Sequence, residues 1–596
     1  MKKFLALLLA ALLMFSLVAC SKTEDENPPA EDGTVKYDPP SLTYLYNTND
    51  NHQKIGEYIQ GALSGVGITM NLTNQEWNTF LETRKNGDYT VARNGWVADY
   101  NDPICFLDMW TSNSGNNDVQ FGKGEHATLK MYDLDLTKWG YDVKVEDGTW
   151  AETYDVLISK IKTCTNNETR YALMHVAEDM LMATGCILPI YYYTDLYMID
   201  SGVTGFYSNP LGYKYFMNTK VDGNTDAINV CLASEPATLD PALNSAVDGA
   251  TMLAHLFSGL AKWGQDENGK LVIVADIAEE LVEPVANDDG TVTYTYKLKD
   301  AKWSNGDAVT AVDFAESWKR AASEDLGADY GYMFEVVKGY GTEEGIAVTA
   351  VDDKTLEVTL ANPVAYWNEL LAFPTYYPVH SSNRADDKGT WATAVETYIC
   401  NGAYTMTDWQ HNSLIVLEKN ANYHDAANVT MNKINCYLSD NANTMLANFK
   451  KGDWQLIDDV PTDEIADLKK NSADEFKIVG QIGTYYVCWN INENLLPKSN
   501  LTGVELEVAQ QEIRQAIGLL LNRNYIVEYV SQAGEIPASS FVAMGMTDAD
   551  GSEFYKNAGD SDSYDGYYDV SEDAQEANWT KAVEILSKYY NLDIKE

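Results

Sequence analysis

Seven histidines are the natural place to look for chemistry, and in this chain they stand far apart: His52, His126, His175, His255, His380, His411 and His424. No two fall in an HExxH pattern, the spacing that seats a zinc ion and its general base on one helix face. There is no GxSxG turn to expose a nucleophilic serine and no GxxxxGK[ST] loop to cradle phosphates. The run from Asp548 to Glu553 is faintly like a calcium loop but lacks the full ligand spacing, and reads better as a surface turn. After Cys20 the cysteines are Cys105, Cys164, Cys186, Cys231, Cys400, Cys436 and Cys488, widely spaced and without a CxxC pair. A zinc site or a dense disulfide framework is therefore disfavoured, buried thiols are the expectation, and one or two disulfides stay open. No cofactor and no metal are expected. Separated residues can still converge into a catalytic site, so these absences disfavour an enzyme without excluding one.

The bulk properties agree. A chain of 596 residues with 45% hydrophobic and 22% charged residues is a folded protein of two or three lobes. Its formal net charge of -47 argues against binding to nucleic acid or to anionic lipid surfaces. That charge does not by itself define the ligand; a solvated acidic surface explains it.

The first residues have their own logic. Lys2 and Lys3 precede an apolar run from Phe4 to Val18 that stops at Ala19-Cys20, the layout of a secretory leader and too short to favour a membrane span. Leu17-Val18-Ala19-Cys20 resembles the lipobox of bacterial lipoproteins, which implies cleavage after residue 19 and diacylation of Cys20. Residues 21 to 38 are rich in Glu, Asp, Pro, Ser and Gly and read as a flexible tether.

Helical and strand periodicities alternate through the rest. Val292 to Leu298 and Leu356 to Leu360 alternate apolar and polar residues, as half-buried strands do. Ile513, Ala516, Ile517, Leu520 and Leu521 recur at helical spacing and predict one buried face. An α/β protein of several lobes is the expected class.

Two stretches resemble the oligopeptide-binding branch of the peptide and nickel solute-binding proteins (family 5). The first, about 42 to 220, carries the run Leu45 to His52, the run Asn74 to Arg84, the specific run Arg93-Asn94-Gly95-Trp96-Val97-Ala98-Asp99-Tyr100-Asn101-Asp102-Pro103, then Pro189 to Tyr193 and Asn209 to Gly212. The second, about 228 to 596, carries Ser234 to Pro241, Trp303 to Asp307 with Thr310 to Phe314, Asn401 to Tyr404 and the helix from Arg514 to Arg523. In the family the first stretch comes last, so the resemblance implies a circular permutation, joined through the turn-prone residues 220 to 226. Seven residues reach at most about 25 Å, so the join must link neighbouring ends. An artefactual exchange of two gene segments is the alternative.

What the resemblance implies is a periplasmic-binding-protein-like two-lobed clamp with an additional α/β lobe. One cleft lobe takes 39–194 with 483–596, the other 195–257 with 379–482, and the extra lobe 258–378. An extended peptide in the cleft must have its backbone groups satisfied, and the implied wall segments are Gly95 to Val97, Ser245 to Val247 and Gly483 to Tyr485. Asp99 matches the aspartate that receives the peptide's ammonium; on spacing alone it would be a capping or turn residue. Stranding one member of such a buried pair costs about 3–5 kcal/mol, against roughly 8 kcal/mol for micromolar binding. Trp77 and Trp96 match tryptophans near the side-chain pockets, and Tyr330 a cleft tyrosine. Arg84, Arg93 and His52 match cationic groups that receive the carboxylate, where ordinary surface ion pairing is the plainer reading. Cys488 and Ser531 stand where relatives can carry a glutamate and a lysine, and Gly483 and Val97 where some carry a cysteine pair, which puts carboxylate recognition and peptide length in doubt.

The function so implied is an extracytoplasmic, lipid-anchored monomer that delivers peptides to the permease subunits of an ABC importer. The alternatives are a peptide-sensing receptor without transport and a surface peptidase; nickel binding is disfavoured because no histidine cluster is visible.

Overall fold

The computed structural model describes residues 35–232, 235–386 and 389–595; the leader, Cys20 and most of the tether lie outside them. One sheet of eleven strands organises the molecule. In chain order its strands are β1 (Leu42–Asn47), β2 (Met70–Gln75), β3 (Val91–Val97), β4 (Ile187–Ile199), β5 (Ile228–Cys231), β6 (Tyr404–Gln410), β7 (Leu414–Lys419), β8 (Lys433–Tyr437), β9 (Leu456–Ile457), β10 (Phe476–Trp489) and β11 (Ile536–Pro537). Across the sheet the order is β6, β7, β8, β5, β9, β4, β10, β3, β1, β2, with β11 paired to β4.

The parallel pairs β1–β2 and β1–β3 need crossover connections. Helix α1 (Asp50–Ser64) makes the first. Asn49 caps it by accepting from the His52 N–H at 3.1 Å, and Ile55, Ile59 and Leu63 bury one face at helical spacing. Helix α2 (Trp77–Lys85) makes the second and buries Phe80.

β4 and β10 are the longest strands, at 13 and 14 residues, rich in tyrosine and β-branched residues that suit a strand covered on both faces. They run antiparallel, but the ladder breaks between Gly480 and Thr484 and shifts again at Tyr485/Tyr486. On one side of the break β10 pairs with β3 and β4 with β11; on the other β4 pairs with β9. The same two strands therefore serve both halves of the sheet, and the break marks where they can bend.

A separate four-stranded antiparallel sheet holds Val292–Lys297 and Thr355–Leu360 as neighbours, the two segments whose alternation predicts strands. Helix α3 (Ala311–Ala321) packs on it, opened by a capping box of Thr310 and Asp313. Helix α4 (Gly503–Leu520) buries Ile513, Ala516, Ile517 and Leu520, as their spacing predicts.

The described ends of the chain lie together. The Tyr37 N–H donates to the Tyr589 carbonyl (2.9 Å), and the Asn591 N–H to the Tyr37 carbonyl (2.8 Å). The segment 220 to 226 closes as a tight turn, with Asp222 at φ 50 and Gly223 at φ 79, the positive pair a two-residue hairpin turn needs. The seven cysteines from Cys105 onward form no disulfide among the described residues, and all but Cys164 are buried. Asp548 to Ser552 is a turn in which Asp548 binds His175 at 2.9 Å. Among the described residues no helix is long and apolar enough to cross a membrane, and no cluster of three His, Cys, Asp or Glu could hold a metal ion.

Arg514 fastens α4 to the loop before β4: its Nε donates to the Thr184 carbonyl (3.0 Å), and it pairs with Glu507 while only 1% exposed. Arg514→Met strands the Glu507 carboxylate, so folding stability should fall by about 3–5 kcal/mol in urea titration followed by circular dichroism.

Candidate functional site

Several stretches far apart in sequence line one cavity of about 890 Å³. At one end, just past β3, stands Asp99. The Tyr330 hydroxyl donates to Asp99 Oδ1 at 3.0 Å, while Asp99 Oδ2 is buried without a partner. Burial pushes this carboxyl well above the usual carboxylate range; the Tyr330 bond opposes the shift and the Asp108 charge adds to it. Trp96, whose Nε1 donates to the Cys105 carbonyl at 2.9 Å, stands 6.2 Å from the Tyr330 ring and walls this end. A buried carboxylate oxygen left without a donor is an acceptor waiting for a cation or a donor from outside the chain.

From Asp99 the cavity follows β3 backwards. β10 pairs with β3 along Val91 to Val97, but β1 reaches only Val91 and Ala92. From Arg93 to Val97 one edge of the strand thus has no neighbouring strand, and Gly95, Trp96 and Val97 line the cavity. An open strand edge accepts an extended chain through main-chain hydrogen bonds.

At the other end stands a cationic corner. Arg93 is 8% exposed, forms no ion pair among the described residues, and lies over the rings of Trp77, Phe80 and Tyr485 at 5.5–5.9 Å. Its Nε has no hydrogen-bond partner. Arg84 is different: it pairs with Asp118 at 2.7 Å, both side chains 11% exposed, so its charge is already matched. His52 also differs from expectation. Burial, reinforced by the Arg93 charge, holds its imidazole well below its ordinary value, so it is neutral at physiological pH and is no cationic receptor. Arg93 to Asp99 is six residues, about 20 Å along extended chain.

The opposite wall comes from Ser245 to Val247, at the start of helix Val247–Leu256, and from a charged cluster. Lys214, 3% exposed, sits 2.9 Å from Asp195 and 2.7 Å from Asp458, so this buried cation is spent on the protein's own carboxylates. Next to it, Asp459 Oδ2 accepts from Asn49 Nδ2 at 2.9 Å, a contact across the cavity mouth.

Asp99, Trp96, Gly95, Val97, Trp77, Arg84, Arg93, His52, Ser245, Val247 and Tyr330 all line this cavity. Gly483 and Tyr485 do not. Thr484 and Tyr485 are bonded into the sheet on both sides, by β3 and by β4, so their backbone cannot also serve a ligand. Tyr485 acts from behind, supporting His52 at 5.5 Å and Arg93 at 5.5 Å. The sequence reading also missed Tyr193, Asp118, Lys214 and Phe373. The available signal for Tyr193 was the pair Gly95 and Gly483: an ideal Cβ on Gly95 would fall 2.1 Å from the Tyr193 hydroxyl, and one on Gly483 2.9 Å from its ring.

Burial pushes the Asp459 carboxyl up to about 7; the Val460 N–H and Asn49 oppose this, and Asp458 and Asp50 add to it. A folded-state value above the unfolded one near 3.9 means its stabilising contribution is complete below about 4 and is lost as pH rises through about 7. Asp459→Asn should therefore flatten the fall in melting temperature between pH 5 and pH 8, measured by calorimetry against the unaltered protein.

The family profile for bacterial extracellular solute-binding proteins, family 5 (middle), matches residues 23–118 and 273–589. The oligopeptide-binding protein OppA of Bacillus subtilis is 32% identical over 332 residues, covering 54% of this chain and 57% of that protein. The dipeptide-binding protein DppE of the same organism is 30% identical over 336 residues, covering 55% and 57%. The chain thus spans little more than half the length of the relatives it matches. Among solved structures, Listeria monocytogenes OppA bound to peptide aligns at 25% identity with a TM-score of 0.45, covering 61% of this chain and 69% of that one. Burkholderia pseudomallei OppA aligns at 25% identity with a TM-score of 0.47, covering 61% and 67%.

Proposed function

Given that the chain belongs to the family 5 bacterial extracellular solute-binding proteins, we propose that it captures peptides in the cavity along β3 and delivers them to an ABC importer. As a solute-binding protein it holds its ligand without transforming it. The observation that carries the reading is the matched pair of unsatisfied ends: a buried Asp99 carboxyl oxygen without a partner and a buried Arg93 guanidinium whose Nε has none, joined by an open strand edge. An unblocked peptide has complementary ends and a backbone that pairs with such an edge. With its ammonium at Asp99 and its carboxylate at Arg93 it runs antiparallel to β3. Main-chain pairing satisfies the ligand without reading its side chains, and the Trp77 and Trp96 rings then face those side chains. That B. subtilis OppA and DppE are named for oligopeptide and dipeptide binding supports the reading.

The clamp is divided as the resemblance implies: 39–194 with 483–596, 195–257 with 379–482, and 258–378. The break in the β4–β10 ladder, beside residues 194 and 483, supports a hinge there. The adjacency of Tyr37 with Tyr589 and Asn591 supports the permuted order, since the family order requires those ends to meet.

Asp99→Ala should abolish peptide binding in calorimetry, a loss of at least about a hundredfold, while the melting curve stays cooperative. Because burial raises the Asp99 carboxyl and the ammonium needs it ionised, binding should release a proton and weaken as pH falls. Calorimetry in buffers of differing ionisation heat reads that proton directly; unchanged proton release in Asp99→Ala would remove the assignment.

Lipid anchoring at Cys20 is part of the same proposal, carried by the run Leu17 to Cys20. Cells fed radiolabelled palmitate should label the protein, and Cys20→Ser should abolish the label and release the protein from membranes.

A further inference from the structure

Tyr193 lies on β4 in the stretch where the β4–β10 ladder is open, between the pairs Tyr192–Thr484 and Thr194–Gly480. Its ring crosses the face of the adjacent strand β10 and reaches β3 beyond it. An ideal Cβ on Gly95 would stand 2.1 Å from its hydroxyl oxygen, and one on Gly483 would stand 2.9 Å from Cδ2. No other side chain at those two positions would leave the phenol room. The ring is held edge-on by Tyr191 at 5.6 Å and Tyr485 at 6.2 Å, so its direction is set by packing.

That packing delivers a hydroxyl with nothing to bond. Tyr193 lines the cavity, and among the described residues its hydroxyl has no hydrogen-bond partner within reach, although the neighbouring Tyr192 hydroxyl has Ser540 at 2.9 Å. It also sits on the Arg93 side of the site, above Gly95, two residues or about 7 Å of strand from Arg93. Burial raises the phenol to about 12, with the Arg93 charge the strongest opposing influence, so the group keeps its proton at neutral pH and can donate it.

Resting on the peptide reading above, we infer that Tyr193 is a specificity-determining residue of the carboxylate end, its hydroxyl donating to the ligand's terminal carboxylate beside the Arg93 guanidinium. The Arg84 charge is matched by Asp118 and His52 is neutral, so this phenol adds an uncharged donor beside the one cation of the corner that has no ion-pair partner among the described residues. A carboxylate has more acceptor positions than one guanidinium fills, and a hydrogen bond to a charged group is worth more than one to a neutral amide.

The test uses calorimetry with alanine peptides of two to six residues, each as the free acid and as the C-terminal amide. Y193F keeps the ring and removes the donor. It should weaken the free acids about tenfold and leave the amides within about twofold, narrowing the acid-over-amide preference of the unaltered protein. Equal weakening of acids and amides in Y193F, or no weakening of either, overturns the inference while peptide binding stands. Failure of the unaltered protein to bind any of these peptides overturns both.

Discussion

Asp99 keeps one carboxylate oxygen out of water with no donor facing it. A carboxyl so placed stays there only when the fold around it is stiff enough to prevent the side chain from turning to solvent or to another donor. The stiffness is visible. Tyr330 holds the other oxygen, Trp96 is tied to the Cys105 carbonyl, and β3 is bonded to β10 along its whole length. The cavity's remaining features follow from this demand. Other cations lining the cavity are occupied by the protein's own carboxylates: Arg84 by Asp118, Lys85 by Asp329 at 2.7 Å, and Lys214 by Asp195 and Asp458.

The arrangement also explains why the two ends of the cavity differ in kind. At the Asp99 end the orphan atom is an acceptor; at the Arg93 end it is a donor lying among aromatic faces. A guanidinium stacked on rings keeps its charge and its planar orientation without a carboxylate to neutralise it. For a peptide bound as proposed, the pairing of unlike ends sets direction as well as affinity. A chain entering backwards would bring ammonium to guanidinium and carboxylate to carboxylate, two repulsions in place of two attractions.

Much of this could be read before any coordinates. The alternations at Val292 to Leu298 and Leu356 to Leu360 and the helical face of Ile513 to Leu520 are local patterns, and local patterns specify local structure. Asp99 and Arg93 lie in one run of eleven residues, so a single motif carried both. What stayed hidden were relations between distant segments. Whether Arg84 is free depends on Asp118, 34 residues away, and whether His52 is charged depends on how deeply the fold buries it. The role of Tyr193 depends on glycines roughly 100 and 300 residues removed. The implied ligand wall at Gly483 to Tyr485 is a relation of the same kind. Its strand character is evident in the residues, but that β3 and β4 occupy both edges at Thr484 and Tyr485 is a property of the sheet.

The break in the ladder between β4 and β10 has a mechanical consequence. Both halves of the sheet hang on the same two strands, so a movement of one half against the other is no slide between separate bodies; it twists a few backbone torsions where ladder bonds between β4 and β10 are missing. Such a joint behaves as an elastic spring with a resting angle. The compliance of that joint is set at Gln481 to Gly483, where β10 leaves β4 and is tied instead to Pro210 and Ala98 through Ile482.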